Sequence, residues 1–306
     1  MSELRVVFLG TSAGRPTPRR SVSAVYLQFG ADSVLFDCGE GTQLQVLKAG
    51  VRISNLKAIC ITHFHGDHIN GLPGFLGTVG LNGHRDRMAL AAPRGMDRYL
   101  AVLRELSILN PSFELDLVQN SVGMVYATED YTIETTKLDH RVPAYGFIFR
   151  ERDLVGRFDL QKAMEMGIEP GPVFGRLQRG ETITLEDGRQ VRPEDVLGPT
   201  RKGRSVAYIT DTRPSATVVE AVAGVDILIH EATYLSGLRD QAMARKHSTV
   251  SEAAMVAREA GVKQLILTHI SPKHTSGRDI LREAKAIFPE SYLAEDFSEF
   301  VLPVPE

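Results

Sequence analysis

The chain has 306 residues, of which 43% are hydrophobic and 24% charged, with a formal net charge of −3. This balance is typical of a globular protein with a buried core; it excludes collagen-like chains and a globally basic nucleic-acid coat protein, but not an enzyme with a local basic face. No run reaches the roughly 18 apolar residues of a membrane span, and the N-terminus does not resemble a signal peptide. We therefore expect a cytoplasmic protein. Its two cysteines, Cys38 and Cys60, are expected to be reduced and buried.

The first half of the chain alternates predicted strands with short helices. Apolar, β-branched runs that end in glycine or charged turns predict strands, and apolar residues at helical spacing predict helices. The predicted strands are 4–9, 24–29, 33–37, 56–62, 88–91, 115–118, 124–128, 131–138 and 145–150, and the predicted helices are 41–49 and 95–109.

Glycine and proline recur throughout 153–203 and break up long regular elements there. A short helix at 159–166 and a hairpin at 182–191 are the elements that we expect in this stretch. Long loops in compact domains are usually functional or disordered. We therefore predict a protruding Gly/Pro-rich arm at about 153–203, with an ordinary irregular connection as the alternative.

Strands and helices alternate again after the arm. Strands are predicted at 205–210, 226–230 and 264–269, and helices at 214–222, 251–260 and 278–287. The two halves resemble each other, which favours one domain over 1–306 with an internal pseudo-duplication. Two sheets packed face to face, with helices outside, would bury these strands on both sides, so the predicted fold class is α/β.

Three of the nine histidines lie in the run H-F-H-G-D-H at 63–68, directly after a predicted strand. His63 and His65 are two apart in an extended segment, so their side chains point the same way and can share one metal ion. Gly66 allows a sharp turn, after which Asp67 and His68 face a second site. Unpaired imidazoles and a carboxylate would be costly in an apolar core; a solvated polar loop is the alternative.

Three further candidate ligands, His140, Asp211 and His269, each follow a predicted strand, where the ligands of α/β proteins gather. The first metal ion would be held by His63, His65 and His140, and the second by Asp67, His68 and His269, with Asp211 as a bridge. Imidazole and carboxylate ligands suit Zn²⁺, with Mn²⁺ or Fe²⁺ as alternatives. Two ions about 3.5–4 Å apart can bind a bridging hydroxide and clamp both oxygens of a displacement at phosphorus.

With this ligand set the chain resembles the metallo-β-lactamase superfamily, which implies an αββα sandwich with two metal ions at one edge. Further motifs resemble the short form of the tRNase Z family: FDCGEGTQ at 36–43, GLPG at 71–74, HEAT at 230–233 and HST at 247–249. The chain departs from the family pattern at Thr210, where glycine is usual, and at Lys273 and His274, where Arg-Tyr is common.

The resemblance implies a zinc-dependent endoribonuclease that removes the 3′ trailer of precursor tRNA after the discriminator nucleotide. It would leave a 3′-hydroxyl on the tRNA and a 5′-phosphate on the trailer. Asp67 would be the base that aligns the attacking hydroxide, and His247 the acid that protonates the leaving 3′ oxygen; from the sequence alone, His247 could equally be a surface residue or a helix cap. Asp37 resembles a carboxylate that orients metal ligands, and His230 and Glu231 are expected behind the ligands.

The arm and the oligomeric state also follow from the resemblance. The segment 167–176 is similar to the arm with which tRNase Z grips the tRNA elbow, and a homodimer is implied. Candidate phosphate contacts are Arg150, Arg152, Arg157, Lys162, Arg176 and Arg179. A second basic cluster, Arg15, Arg19 and Arg20, follows the first strand and is expected near the metal edge, with a solvated charged surface as the alternative.

Three other functions stay open at this point. A small-molecule hydrolase acting on thioesters, lactones, arylsulfates or phosphodiesters fits the metal run, but the FDCGEGTQ block and the arm argue against it. A non-catalytic RNA-binding protein is disfavoured by the complete ligand set. The sequence does not separate strict tRNA processing from broader nuclease or 3′-exonuclease activity. It also leaves open the response to CCA-bearing precursors and the metal ion loaded in the cell.

Overall fold

The computed structural model of the chain describes residues 2–274 and 276–305. Its strands are β1 Leu4–Gly10, β2 Ala24–Phe29, β3 Asp32–Phe36, β4 Leu56–Cys60, β5 Met88–Ala92, β6 Leu115–Gln119, β7 Gly123–Ala127, β8 Tyr131–Leu138, β9 Ala144–Glu151, β10 Ile183–Thr184, β11 Gln190–Val191, β12 Ser205–Ile209, β13 Ile227–Glu231, β14 Gln264–Thr268, β15 Ser291–Leu293 and β16 Glu299–Leu302. Its helices are α1 Thr42–Ala49, α2 Gly66–Ile69, α3 Leu72–Leu81, α4 Met96–Glu105, α5 Leu160–Glu165, α6 Pro172–Gln178, α7 Pro193–Val196, α8 Ala216–Ala221, α9 Arg239–Arg245, α10 Val250–Ala260 and α11 Gly277–Lys285. None of the helices in these described ranges combines the length and the apolar character that crossing a membrane requires.

Two seven-stranded sheets form the framework. The first has the order β16-β1-β2-β3-β4-β5-β6 and the second the order β15-β14-β13-β12-β9-β8-β7. Within the first sheet β3 to β6 run parallel, and within the second β12 to β15 do so. Parallel strands end on the same side of their sheet, so the residues that follow them collect along one edge.

The apolar side chains form layers on both faces of each sheet. One cluster, which includes Phe36, Phe147 and Tyr208, contains residues of both sheets and lies between them. The first sheet also packs against α1, α3 and α4, and the second against α8, α10 and α11. Burying each large apolar side chain contributes about 1.5–3 kcal/mol. The predicted α/β class and αββα sandwich are confirmed.

The structure corrects several predicted boundaries. The helix predicted at 95–109 ends at Glu105, because Ser107 adopts a left-handed backbone (φ 57°) that a helix cannot continue through. Helices α2, α3, α6, α7 and α9 and strands β15 and β16 were not predicted. The hairpin predicted at 182–191 is present, but its strands are two residues each.

The residues from Glu151 to Gly203 form a compact unit of their own. Their core consists of buried apolar side chains from α5, α6 and α7 and the β10–β11 hairpin, together with Ile168. Asp159 caps α5, since its side chain accepts a hydrogen bond from the Lys162 backbone N–H at 2.9 Å. The arm predicted at 153–203 falls within this unit.

Candidate metal centre

The seven predicted metal ligands all lie in segments that follow strands. His63 and His65 come after β4, Asp67 and His68 lie in the short helix α2 that follows them, and His140, Asp211 and His269 come after β8, β12 and β14. The side-chain donor atoms of His63, His65, His140 and Asp211 lie within 4.8 Å of one another, as do those of Asp67, His68 and His269. The structure therefore brings together residues that are up to 206 positions apart in the chain.

Close backbone packing holds the ligand loop in place. The N–H of Cys38 donates to the carbonyl of His68 at 2.8 Å, and the N–H of Gly71 donates to the carbonyl of Cys38 at 2.9 Å. A β-carbon on Gly39 would clash with the Asp67 carbonyl, and one on Gly71 would clash with the Gly39 carbonyl. Only glycine fits these two positions, which explains why both motifs, FDCGEGTQ and GLPG, contain one.

The first ligand group is built from three imidazoles. The Nδ1 atom of His65 lies 3.0 Å from Nε2 of His63 and 3.2 Å from Nε2 of His140. The Oδ2 atom of Asp211 lies 3.5 Å from Nε2 of His63 and 3.7 Å from Nε2 of His140. Three nitrogen atoms and one carboxylate oxygen thus face a common point, as a tetrahedral ion requires.

The second ligand group shares Asp211 with the first. The Oδ1 atom of Asp211 lies 3.4 Å from Nε2 of His68 and 3.2 Å from Nε2 of His269. The Oδ2 atom of Asp67 lies 3.5 Å and 3.4 Å from the same two nitrogens. Since the two oxygens of Asp211 face different groups, this carboxylate is placed to bridge two ions.

Hydrogen bonds behind the imidazoles decide which nitrogen faces the site. Nδ1 of His68 lies 2.7 Å from the Asp37 carboxylate, and Nδ1 of His140 lies 2.9 Å from the Lys246 carbonyl. Both partners can only accept, so both Nδ1 atoms carry the proton and each Nε2 keeps a free lone pair. Nε2 of His68 is buried and has no hydrogen-bond partner among the described residues, as expected of an atom that ligates a metal ion.

Two buried carboxylates orient most of these imidazoles through hydrogen bonds. Asp37 holds His68 directly and His63 through the Thr62 hydroxyl, which lies 2.9 Å from Asp37 and 3.0 Å from Nδ1 of His63. Glu231 acts on His269 in the same way, since the Thr233 hydroxyl lies 2.6 Å from Glu231 and 2.8 Å from Nδ1 of His269. This arrangement fits the orienting role that the sequence suggested for Asp37, and it places Glu231 behind the ligands.

Replacing Asp37 by asparagine is expected to weaken metal binding by about 10- to 100-fold, because an amide no longer fixes the proton of His68. The measurement is competition for the ion with a chromogenic chelator. Tyr208→Phe is the matched control: the Tyr208 hydroxyl also contacts Asp37, at 2.9 Å, but this change leaves the carboxylate in place. Equal affinities for Asp37→Asn and the unmodified protein would contradict the orienting role.

The backbone is strained where the ligands are held. Asp37, Asp211 and His269 have positive φ angles of 57°, 35° and 55°, and Lys246, beside His247, has 59°. Non-glycine residues rarely adopt this region, at a cost of about 1–3 kcal/mol each. Such strain is typical of functional sites, where the packed structure around a residue holds its backbone in an unfavourable conformation.

The charge distribution favours a cation. Burial and the neighbouring imidazoles lower the pKa of His65 to about 4 and keep it neutral, as a metal ligand must be. Burial alone would raise the pKa of Asp211, but the imidazoles of His269, His68 and His63 hold it well below its ordinary value. Asp37, Asp211 and Glu231 are buried carboxylates, and buried negative charges need positive partners nearby. One or two divalent ions bound by these donor atoms would supply that charge.

His247 lies beside the ligand groups without being one of the predicted ligands. Its Nδ1 atom is 3.0 Å from the Glu231 carboxylate and 4.0 Å from Asp211. Burial by itself lowers the pKa of His247, but the carboxylates of Glu231 and Asp211 outweigh this and raise it to about 9. The bond from Nδ1–H to Glu231 leaves Nε2 free to carry a second proton. No motif in the sequence indicates that Glu231 pairs with His247.

The predicted basic residues are distributed over both compact units. Arg150 lies in β9, where its guanidinium donates to the Ala221 carbonyl at 3.0 Å. The other five candidates lie in the unit 151–203: Arg152, Arg157, Lys162, Arg176 and Arg179. The cluster near the first strand lies at the metal edge, because the N–H of Gly14, next to Arg15, donates to Asp67 at 2.7 Å.

Known proteins resemble this chain in sequence and in fold. The family model described as "Metallo-beta-lactamase superfamily" matches residues 17–219. Ribonuclease Z of Gloeothece citriformis (strain PCC 7424) is 44% identical over 307 residues, which cover 98% of this chain and 96% of that protein. Ribonuclease Z of Nostoc sp. (strain PCC 7120 / SAG 25.82 / UTEX 2576) is 42% identical and covers 98% and 95%. The crystal structure of human tRNase Z, short form, matches with a TM-score of 0.68 at 26% identity, over 98% of this chain and 100% of that one.

Proposed function

The chain belongs to the ribonuclease Z family of the metallo-β-lactamase superfamily, and on that premise we propose that it is a zinc-dependent endoribonuclease that removes the 3′ trailer from precursor tRNA. The cut falls after the discriminator nucleotide and leaves a 3′-hydroxyl on the tRNA and a 5′-phosphate on the trailer. The observation that carries this proposal is that Asp67 belongs to the second ligand group, that Asp211 faces both groups, and that His247 lies beside them.

The metal ions would be held by His63, His65, His140 and Asp211 on one side and by Asp67, His68, His269 and Asp211 on the other. When bound, such ions lower the pKa of water and offset the charge on a phosphoryl group under attack. Asp67 acts as the base, because its Oδ2 atom faces the second ligand group while the N–H of Gly14 fixes the same oxygen at 2.7 Å. That contact orients the carboxylate without neutralising it.

His247 acts as the acid. Its raised pKa keeps the imidazole protonated at neutral pH, and the proton on Nε2 is available to the leaving 3′ oxygen of the tRNA. Glu231 keeps the ring oriented, since it also accepts hydrogen bonds from the Thr212 N–H at 2.7 Å and from the Thr233 hydroxyl at 2.6 Å. A fixed Glu–His pair is the arrangement that a general acid needs.

The test is a cleavage assay on a precursor tRNA that carries a 3′ trailer, with the cut mapped on a sequencing gel. A single cut after the discriminator nucleotide, abolished by a chelator and restored by Zn²⁺, is expected. If Mn²⁺ or Fe²⁺ restored the cut and Zn²⁺ did not, the active ion would be Mn²⁺ or Fe²⁺. If the protein did not cut this tRNA but hydrolysed thioesters or lactones, its substrate would be a small molecule.

The arm is proposed to bind tRNA through its arginines. Arg176 donates to Glu181 at 2.8 Å on an exposed surface. Arg176→Ala should weaken precursor tRNA binding. The negative slope of log affinity against log salt concentration should become shallower by about 1, because one phosphate contact is lost. Hydrolysis of bis(p-nitrophenyl) phosphate, which is too small to need the arm, should change much less.

Glu181→Ala is the matched control for this variant, because it removes the same ion pair and keeps the arginine. If Arg176 contacts phosphate, this control should bind tRNA at least as well as the unmodified protein. If both variants lose affinity equally, the ion pair serves only the fold of the arm.

The proposal also includes a homodimer and a cytoplasmic location. The resemblance to the short form of tRNase Z supports both. Two leucines on α1 lie on the surface, Leu44 at 54% and Leu47 at 63% exposed, which is consistent with a contact between subunits. Light scattering after gel filtration is the measurement that checks the mass in solution.

A further inference from the structure

The proposed acid, His247, lies in a short segment between α9 and α10. Its Nδ1 atom contacts Glu231, which orients the ring. The backbone under the ring needs separate support, because Lys246 has a left-handed backbone (φ 59°) and ends α9 just before the acid. A shift of this segment would move the imidazole away from the leaving oxygen even if Glu231 stayed in place.

One largely buried arginine holds the carbonyl of His247. The Nη1 atom of Arg213 donates to this carbonyl at 2.5 Å and to Oε2 of Glu252 at 2.7 Å, and its Nη2 atom donates to Oε1 of Glu252. The side chains of Arg213 and Glu252 are only 14% and 6% exposed. A planar guanidinium that binds a carboxylate through two nitrogens has a fixed orientation. In this orientation Nη1 also faces the His247 carbonyl.

Glu252 is itself fixed at the start of α10. It accepts a hydrogen bond from the Thr249 N–H at 2.9 Å, while the Thr249 hydroxyl accepts one from the Glu252 N–H at 3.2 Å, which is a capping box. Burial alone would raise the pKa of Glu252, but the hydrogen bonds from Arg213 and Thr249 lower it, so the carboxylate stays charged. Arg213 therefore connects the backbone of the acid to a well-defined helix end.

The segment 211–213 begins with the bridging ligand and ends in Arg213. The Arg213 N–H donates to the carbonyl of Asp139, the residue before another metal ligand, at 3.0 Å. The Ser248 hydroxyl, beside the acid, donates to the Thr212 carbonyl at 2.6 Å. Three consecutive residues thus join the backbone of two metal ligands to the backbone of the acid.

A second link between these segments is weaker. Lys246 forms an ion pair with Asp139 at 2.9 Å, but the two side chains are 44% and 47% exposed. Exposed ion pairs contribute little stability, because water competes for both charges. The contacts of Arg213 are shielded from water to a much greater degree, so we expect them to set the position of His247.

We propose that Arg213 is a positioning residue for the cleavage reaction. By holding the His247 carbonyl, it keeps the imidazole where its Nε2 proton reaches the leaving 3′ oxygen of the tRNA. It acts through His247 and not on the metal ligands. The inference rests on the proposed function. Arg213 was not among the predicted site residues, because its side-chain partners lie 34 and 39 positions further along the chain.

The first test is single-turnover cleavage of precursor tRNA by the metal-loaded Arg213→Met variant at saturating enzyme. Methionine keeps much of the side-chain length but offers no donor to the His247 carbonyl. Cleavage should slow by about 10- to 100-fold, since a small displacement of a catalytic group costs rate steeply. Hydrolysis of bis(p-nitrophenyl) phosphate, whose leaving group needs little protonation, should change far less. The number of bound metal ions should stay the same.

Arg239→Met is the matched control. Arg239 also contacts Glu252, with Nε 3.4 Å from Oε1, but its side chain is 68% exposed. Since this change leaves the contact between Arg213 and the His247 carbonyl in place, the rates on both substrates should be unchanged. Arg213→Lys, which keeps the charge and one donor group, should restore part of the rate that Arg213→Met loses.

A double variant separates positioning from the loss of a buried ion pair. In Arg213→Met the buried carboxylate of Glu252 loses its main partner, which destabilises the fold. Arg213→Met/Glu252→Met removes both charges, so its melting temperature by circular dichroism should be closer to that of the unmodified protein. Its cleavage of tRNA should nevertheless be as slow as that of Arg213→Met, because the His247 carbonyl still lacks its donor.

A double-mutant cycle tests whether Arg213 acts through His247. In the His247→Ala background, Arg213→Met should cause no further loss of tRNA cleavage, because the group that it positions is absent. Hydrogen–deuterium exchange of the metal-loaded protein gives an independent readout. The backbone amides of 247–249 should exchange faster in Arg213→Met but not in Arg239→Met, while those of 63–68 should be unchanged in both.

The outcomes separate this inference from the proposed function. If the losses of Arg213→Met and His247→Ala multiply in the double variant, or if Arg213→Met slows both substrates equally, Arg213 does not position the acid. Unchanged exchange in 247–249 would lead to the same conclusion. In each of these cases the proposed function stands, provided that the unmodified protein cuts precursor tRNA. Failure of that cut with metal ions bound would overturn the proposed function, and this inference with it.

Discussion

Asp211→Ala is expected to abolish cleavage of precursor tRNA, with a loss of more than about 10³-fold, and to lower the metal content of both ligand groups at once. The reason is geometric: Oδ1 lies 3.2 Å and 3.4 Å from nitrogens of one group, and Oδ2 lies 3.5 Å and 3.7 Å from nitrogens of the other. Metal sites of this kind supply much of the rate enhancement in phosphoryl displacement. Inductively coupled plasma mass spectrometry gives the ion count, and the cleavage assay gives the rate.

The control for this variant is Asp97→Ala, which removes an exposed carboxylate from the first turn of α4 and should change neither quantity. His65→Ala provides a contrast, because His65 belongs to one group only. It should lower the metal content of that group more than that of the other. If Asp211→Ala kept two bound ions, Asp211 would not be a bridge.

His247→Ala should slow cleavage of precursor tRNA by roughly 10²–10⁴-fold while the protein keeps its metal ions, as for loss of a general acid. The tRNA leaves as a ribose 3′ alkoxide, which needs a proton. His247 can supply it because the Glu231 carboxylate, 3.0 Å from Nδ1, keeps the imidazole protonated and oriented. Single-turnover rates at saturating enzyme separate this chemical step from tRNA binding.

A second substrate makes this prediction specific. Bis(p-nitrophenyl) phosphate releases a stable phenolate that needs little protonation, so its hydrolysis should fall far less in His247→Ala than cleavage of tRNA does. Glu231→Gln should slow tRNA cleavage more than hydrolysis of the small substrate, and it should also lower metal affinity, because Glu231 contacts His247 directly and His269 through the Thr233 hydroxyl. An equal loss on both substrates would mean that His247 supports the metal centre and is not the acid.

Much of the fold could be predicted from the sequence because its signals are local. Apolar runs and helical spacing are present in the chain itself. They predicted β8 with both of its bounds, and β4 with its first residue but with an end two residues too late. Helix α3 was missed because the glycines in G-L-P-G-F-L-G-T-V-G disfavour a helix in isolation. Its buried residues, Leu72, Phe75, Leu76 and Val79, have helical spacing, and packing against the first sheet stabilises what propensity alone does not.

By itself, the sequence determined the histidine-rich run at 63–68 and the apolar patterns that build the two sheets. Only the structure shows that positions 39 and 71 need glycine, since this need comes from close approaches of the backbone. The tertiary structure decided which of the remaining histidines join the site. His140, His247 and His269 converge there, whereas His84 packs on Phe113 and its Nδ1–H donates to the Ser54 carbonyl at 3.1 Å. A histidine at a strand end looks the same in either case, because only the order and direction of strands in the sheets determine which ends meet. The pairing of Glu231 with His247 is decided at that level too, because it depends on how the segment after α9 folds back onto the end of β13.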